Sequence, residues 1–322
     1  MGEIAPIDYS DGSGMNLMDL STLTWSEQAV SIVANINNPL DNEQLRKVKA
    51  TELRNKLGHL VKPTATLGEI HSYYVEKYGF DKKCKIFPGT GDNASSLVGC
   101  CSSVSANDII ISLGTSDTLF CKIDTLPSGD AINNHFGHVF VHPLFPESYF
   151  NLLCFKNASL AREYIRDQLA NGLWSDFNSL LAETPAGNEG NMGFYYLHPE
   201  ITPPNLPTGI FRYSSDMQPI EAFTDPKYEI RAIIQSQFLS MRSQALKLGI
   251  SPQPFVFYYL LANFVYSTYL SSGSKIIATG GGSSNKYILH IIADIFGVDI
   301  YSLDITASAA LGAAYRAIFS YL

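Results

Sequence analysis

Charge is scarce in this 322-residue chain, and positive charge scarcer still: 22 Lys and Arg stand against 30 Asp and Glu, a formal net charge of −8. The cations are scattered and form no basic stripe, which argues against nucleic acid or an anionic membrane as the main partner. Cysteine is rare. Cys84, Cys100, Cys101, Cys121 and Cys154 make an odd set with no C-x-x-C pair, the usage of free, buried thiols in a reducing compartment. The opening "MGEIAPIDYSDGSG" has neither a basic n-region nor an apolar h-region, so a cytoplasmic location is expected. Only one uncharged run approaches membrane length, at the short limit of about 17 residues for a spanning helix. That run, "PFVFYYLLANFVYSTYL" from Pro254 to Leu270, carries Asn263, Ser267 and Thr268, with tyrosines spread through it rather than gathered at its ends. It reads as a buried or inserted segment, not an anchor. His135, His138 and His142 have no Cys or acid cluster to complete a zinc set, so no protein-held metal is expected.

What the chain does have is apolar residues, 46% of the total, enough for one large or two medium domains. The first third reads as loop followed by helices. "APIDYSDGSGMNLMDL" is rich in turn residues and reads as a polar loop. "TWSEQAVSIVANI" and "DNEQLRKVKATELRNKLG" read as helices, and "TLGEIHSYYVEKYG" as a short helix with a capping box from Thr66 to Glu69. "CKIFPG" then reads as a strand and "DNASSLVGCCSSV" as a helix of small residues. "DIIISLGTSDTLFCKI" reads as a hairpin, and Gly129 to Pro219 as a loop-rich middle with two helices. A long helix covers "PKYEIRAIIQSQFLSMRSQALKLG", and "KIIATGGGSSNKYILHIIADIFGVDIYSL" is strand, glycine turn, helix and strand, an α/β unit. An alanine-rich helix, "TASAALGAAYRAIF", closes the chain.

Three features could carry chemistry. In "KIFPGTGDNASSLVG" an acid, Asp92, stands on a glycine hinge at a helix start, where it serves as a helix cap, a reagent, or both. In "SLGTSDT" the strand feeds a turn of Gly114, Thr115 and Ser116, either an ordinary hairpin or a cradle of N–H groups and hydroxyls for an oxyanion. In "ATGGGSSNKYI" three glycines open a helix whose first turn holds Ser283, Ser284 and Asn285. It matches neither the P-loop nor the dinucleotide fingerprint, yet a capped turn needs only one glycine, and three point to a ligand on the backbone.

Taken in order, "APIDYSDGSGMNLMDL", "FPGTGDNASSLVGC", "ISLGTSDTLF", "LLCFKNASLAREYIRD", "WSDF", "GNMGFYY", "ATGGGSSN" and "SAALGAAYRA" resemble the FGGY carbohydrate kinase family, and within it the eukaryotic xylulose kinase branch. The resemblance covers nearly the whole chain except about 251–274. It implies an α/β protein of the actin-like, ribonuclease H-like ATPase fold, with the two-lobe architecture of sugar kinases. It implies an enzyme that phosphorylates D-xylulose with ATP and Mg²⁺, with Asp92 as general base and Asn93 contacting the sugar. Gly114, Thr115 and Ser116 would form the second phosphate motif, Gly280, Gly281 and Asn285 the adenosine motif, and Trp174 would line the nucleotide site. Kinases of ribulose, glycerol or gluconate, and a non-catalytic chain that binds nucleotide, are the alternatives.

Members of this family are far longer. The expectation is that the first lobe is largely missing. Residues 1–105 would be its C-terminal remainder, including the catalytic-base segment, and 106–322 the second, nucleotide-side lobe with an atypical apolar insertion at about 251–274. A chain so built is expected to be weakly active or inactive by itself, because orienting two substrates between lobes can supply about 7–11 kcal/mol of a barrier.

Overall fold

The computed structural model describes residues 4–35, 41–100, 108–123, 125–126, 137–248, 250, 275–303 and 307–322. The expected lobe boundary near 105, the apolar tract at 251–274, Cys101 and His135 lie outside the described residues.

A six-stranded sheet organises the larger part of the molecule. Its strands are β1 (Ile109–Leu113), β2 (Asp117–Ile123), β3 (His138–Val141), β4 (Tyr149–Phe155), β5 (Ile276–Thr279) and β6 (Ile300–Ser302), in the spatial order β6-β5-β1-β2-β4-β3. β1, β5 and β6 run parallel, while β1-β2, β2-β4 and β4-β3 are antiparallel. The parallel half is covered on both faces, which is why β1 reads as an unbroken apolar run. Successive side chains go to opposite sides: Ile109, Ile111 and Leu113 join the main core, and Ile110 joins the smaller core behind the sheet with Phe120.

Among the described residues, ten α-helices position the rest: α1 (Tyr9–Gly14), α2 (Glu27–Asn35), α3 (Glu43–Leu57), α4 (Ser72–Tyr78), α5 (Asp92–Cys100), α6 (Ser159–Leu169), α7 (Trp174–Ala182), α8 (Pro226–Lys247), α9 (Lys286–Phe296) and α10 (Ser308–Tyr321). Helix α8 starts where the sequence places it. Asp225 accepts from the Lys227 N–H and Pro226 takes the first helical position, where its missing donor costs nothing. Its Ile230, Ile233, Ile234, Phe238, Met241 and Ala245 recur at helical spacing and enter the main core, together with Phe177 and Leu181 of α7 and Ile288, Ile291 and Ile292 of α9. On the opposite face of the sheet, Ala94, Leu97 and Cys100 of α5 pack on Ile110, Phe120 and Ile277.

Several sequence expectations are corrected. The "DYSDGSG" stretch is not a polar loop. Asp8 caps α1 by accepting the Asp11 N–H, and Ser10, Gly12 and Ser13 are buried. Helical periodicity cannot show in six residues, and burial here is set by Arg316, 308 residues away, whose guanidinium meets Asp8 at 2.6 Å. The capping box at Thr66–Glu69 does not form. Gly68–Glu69 pairs as a strand with Lys85–Ile86, and α4 is capped by His71, whose Nδ1 accepts from the Tyr73 N–H. The middle of the chain holds more strand than expected: β3, β4 and a separate antiparallel sheet of Met192–Tyr196, Gly209–Tyr213 and Pro219–Ile220.

Candidate functional site

A cleft of about 470 Å³ opens beside the β1–β2 turn. Gly114 and Thr115 line one side, Trp174 and Asn178 of α7 another, and Gly281, Ser284 and Asn285 a third. These segments are far apart in sequence, and the parallel pairing of β1 with β5 brings their two glycine turns side by side at the same ends of the strands. Ligands of open α/β sheets sit at that edge.

The three glycines after β5 have different reasons. Gly280 has φ of +82°, and a Cβ there would lie 2.6 Å from the Leu113 carbonyl oxygen. A Cβ on Gly282 would lie 2.9 Å from Leu113 Cβ. Both let the β5 turn press against the end of β1. Gly281 meets nothing within 4 Å on its Cβ side, so packing alone does not require glycine there. The expectation that one glycine would suffice for a structural turn is therefore revised to two. Beyond the turn, Asn285 accepts from the Tyr287 and Ile288 N–H groups, capping α9, while its amide donates to Asn178 Oδ1 at 2.8 Å. That bond ties α9 to α7 across the cleft wall. Trp174 stacks edge-on against Phe177, and the Arg166 guanidinium lies 4.8 Å from its ring centroid.

Beneath the β1–β2 turn lies a buried pair that the sequence reading did not single out. Arg162 donates to both carboxylate oxygens of Asp117, at 2.7 and 3.0 Å, and to Gln237 Oε1 at 2.9 Å. Both side chains are 2% exposed. Ser159 at the start of α6 also donates to the Gly114 carbonyl at 2.6 Å. The turn is thus held from below by α6. The available signal was an acid, Asp117, inside an otherwise apolar hairpin, where a buried carboxylate needs a partner.

Asp92 is the first residue of α5 rather than the residue before it, and its carboxylate accepts from the Asn93 N–H at 2.8 Å. Asp92 and Asn93 are exposed and do not line the cleft. The structure brings Gly114, Thr115, Trp174, Gly281 and Asn285 together. Ser116 and Gly280 shape the adjoining turns without lining the cleft. Near Asp92, a Cβ on Gly91 would sit 3.4 Å from Asp11 Oδ1. Behind Asp11, Asp8 is fully buried against Arg316, and burial raises its carboxyl to about 6 despite the Asp11 N–H and the Arg316 charge. Arg316 also donates to the Pro143 carbonyl at 3.1 Å, so one side chain ties α10, α1 and the β3–β4 connection. Among the described residues no group of three or more His, Cys, Asp or Glu is arranged to hold a metal.

The sheet order, the two glycine turns and the crossing helices define an actin-like ATPase fold. A xylulose kinase from Bifidobacterium adolescentis superposes with a TM-score of 0.74 at 20% identity, over 98% of this chain and 56% of that one, a likeness of fold. The C-terminal domain of the FGGY family of carbohydrate kinases matches residues 109–321. The chain belongs to that family. It is 40% identical over 318 residues to xylulose kinase of Mus musculus, covering 98% of this chain and 50% of that protein. It is likewise 40% identical over 334 residues to xylulose kinase 2 of Arabidopsis thaliana, covering 100% and 52%. The chain spans about half the length of the curated relatives it matches.

Proposed function

We propose that these residues form the nucleotide side and the proton-accepting segment of an ATP-dependent kinase acting on D-xylulose. The observation that carries this reading is the convergence of Gly114, Thr115, Trp174, Gly281 and Asn285 on one cleft, together with the likeness to relatives named xylulose kinase. When bound, MgATP supplies the phosphoryl group, with Mg²⁺ carried on the phosphate oxygens. The backbone N–H groups and hydroxyls at Gly114, Thr115 and Ser116 suit phosphate oxygens, and the open side of Gly281 leaves room for a flat base or ribose beside Trp174. Phosphoryl transfer asks a protein mainly for positioning and charge stabilisation. Asp92 takes the proton from the attacking sugar hydroxyl, and Asn93 beside it holds the sugar. The division into residues 1–105 and 106–322, with the second part on the nucleotide side, belongs to the same reading, as does a cytoplasmic location.

A second reading, nucleotide binding with weak or no turnover in this chain, is favoured by the exposure of Asp92 and Asn93 outside the cleft lining. Calorimetry with MgATP and a coupled assay with D-xylulose separate the two. Under the first reading Asp92→Asn abolishes phosphorylation and leaves ATP affinity unchanged. Loss of ATP affinity in that variant would overturn the role given to Asp92, and turnover of ribulose, glycerol or gluconate in place of xylulose would overturn the sugar. Binding of ATP without any turnover in the unaltered chain supports the second reading.

A further inference from the structure

A second cavity of about 390 Å³ lies between the C-terminal end of α7, α8 and α9 and shares no lining residue with the cleft. Its floor is apolar, from Leu181 of α7 and Ile291 of α9. Arg231 of α8 and Lys286 and Asp294 of α9 bring charge to it, and His290 of α9 also lines it. Arg231 is unusual among them. It is only 7% exposed, its Nε is held by Gln235 Oε1 at 2.5 Å, and among the described residues no carboxylate comes within ion-pair distance of its guanidinium. Burial lowers its pKa, and Asp294 acts on it only from farther off. Retaining a buried cation without a close counter-ion is costly, and a chain with a net charge of −8 gains nothing in solubility from placing cations in a concavity.

We propose that this cavity binds a small phosphate ester, with Arg231 and Lys286 pairing its phosphate and Leu181 and Ile291 flooring its carbon skeleton. The planar guanidinium fork matches a phosphate with two parallel hydrogen bonds, and Gln235 fixes its orientation in advance. Lys286, exposed at the rim with its amine 5.6 Å from the Tyr287 ring centroid, adds a second cation. Asp294, whose charge favours protonated Arg231 from a distance, opposes the ligand charge. The volume falls within the usual range of small-molecule sites, about 300–1,000 Å³. Because Asn285 precedes Lys286 on the same helix start, occupancy here bears on the wall of the neighbouring cleft.

Calorimetry on the full chain with inorganic phosphate, glycerol 2-phosphate and malonate tests this. Both phosphates are expected to bind, with the dissociation constant raised at least tenfold in Arg231→Gln and Lys286→Ala, unchanged in Trp174→Ala, and lowered in Asp294→Asn. Lys286 is exposed, so its variant carries the test should Arg231→Gln fail to fold. Tighter binding in Asp294→Asn is a gain that unfolding cannot imitate. Absence of heat with either phosphate overturns the proposal. So does binding lost in Trp174→Ala but kept in Lys286→Ala, which would put the phosphate in the cleft. Malonate binding as tightly as glycerol 2-phosphate overturns the assignment to phosphate.

Discussion

Gly99 and Gly312 meet where α5 crosses α10, so closely that neither position has room for a methyl group. A Cβ on Gly99 would overlap the Ser308 carbonyl and come 2.9 Å from the Gly312 nitrogen. A Cβ on Gly312 would overlap the Ser95 carbonyl and come 2.8 Å from the Gly99 nitrogen. The helices touch backbone to backbone, and a Ser308–Ser96 hydroxyl contact at 3.2 Å flanks the crossing. Asp92 stands at the start of one helix, and Arg316, which holds Asp8, stands on the other.

In an ordinary helix Gly→Ala stabilises by about 1 kcal/mol. Here the sign reverses. Gly99→Ala and Gly312→Ala are each expected to lose about 3 kcal/mol or to prevent folding, because the clash is with backbone and cannot relax by a rotamer change. Urea denaturation measures it, and unchanged or increased stability in either variant refutes the crossing geometry.

Removing one partner of the Asp117–Arg162 pair leaves a buried charge uncompensated. Arg162→Met alone is expected to cost about 3–5 kcal/mol, while the double variant Asp117→Asn with Arg162→Met recovers a good part of it. A thermodynamic cycle from denaturant melts reads the coupling. Additive losses would mean that the two residues act independently.

The glycine turn after β5 gives a separation of stability from binding. Gly280→Ala forces a side chain into φ of +82° against Leu113 and is expected to destabilise by about 1–3 kcal/mol. Gly281→Val meets open space and is expected to keep its melting temperature while weakening ATP by tenfold or more. Equal ATP affinity in Gly281→Val would remove Gly281 from the nucleotide site.

Two buried groups give stability a pH signature. His142 accepts the Leu144 and Phe145 N–H groups on Nδ1, and burial, aided by Lys122, lowers it from 6.5 to about 4. A depressed base binds fewer protons folded than unfolded, so stability is lost as pH falls from 6.5 towards 4, by roughly 3 kcal/mol. Asp8 is raised from 3.8 to about 6, and its contribution runs the other way: full below about 4, lost as pH rises through 6. The two offset each other between about pH 4 and 6. His142→Asn, which retains an acceptor for the two N–H groups, is expected to unmask Asp8, so that stability falls with rising pH across that range. A flat profile in the variant would count against the burial assigned to Asp8.

The amino-acid sequence determined the parts whose causes are local. The apolar hairpin of β1 and β2, the proline-led start of α8, the glycine turn after β5 and the Asn285 cap all follow from neighbours a few residues away, and the motifs quoted from them sufficed to place the chain in its family. Tertiary structure alone decided the rest. Asp8 and Arg316 stand at opposite ends of the chain, the paired glycines gain meaning only at a crossing, and Arg162 is buried only because Asp117 waits beneath the turn. The short helix at "DYSDGSG" and the strands of the loop-rich middle leave no local pattern for the same reason. In segments of a few residues the periodicity is too brief to register, and burial is set by partners that no local pattern can announce.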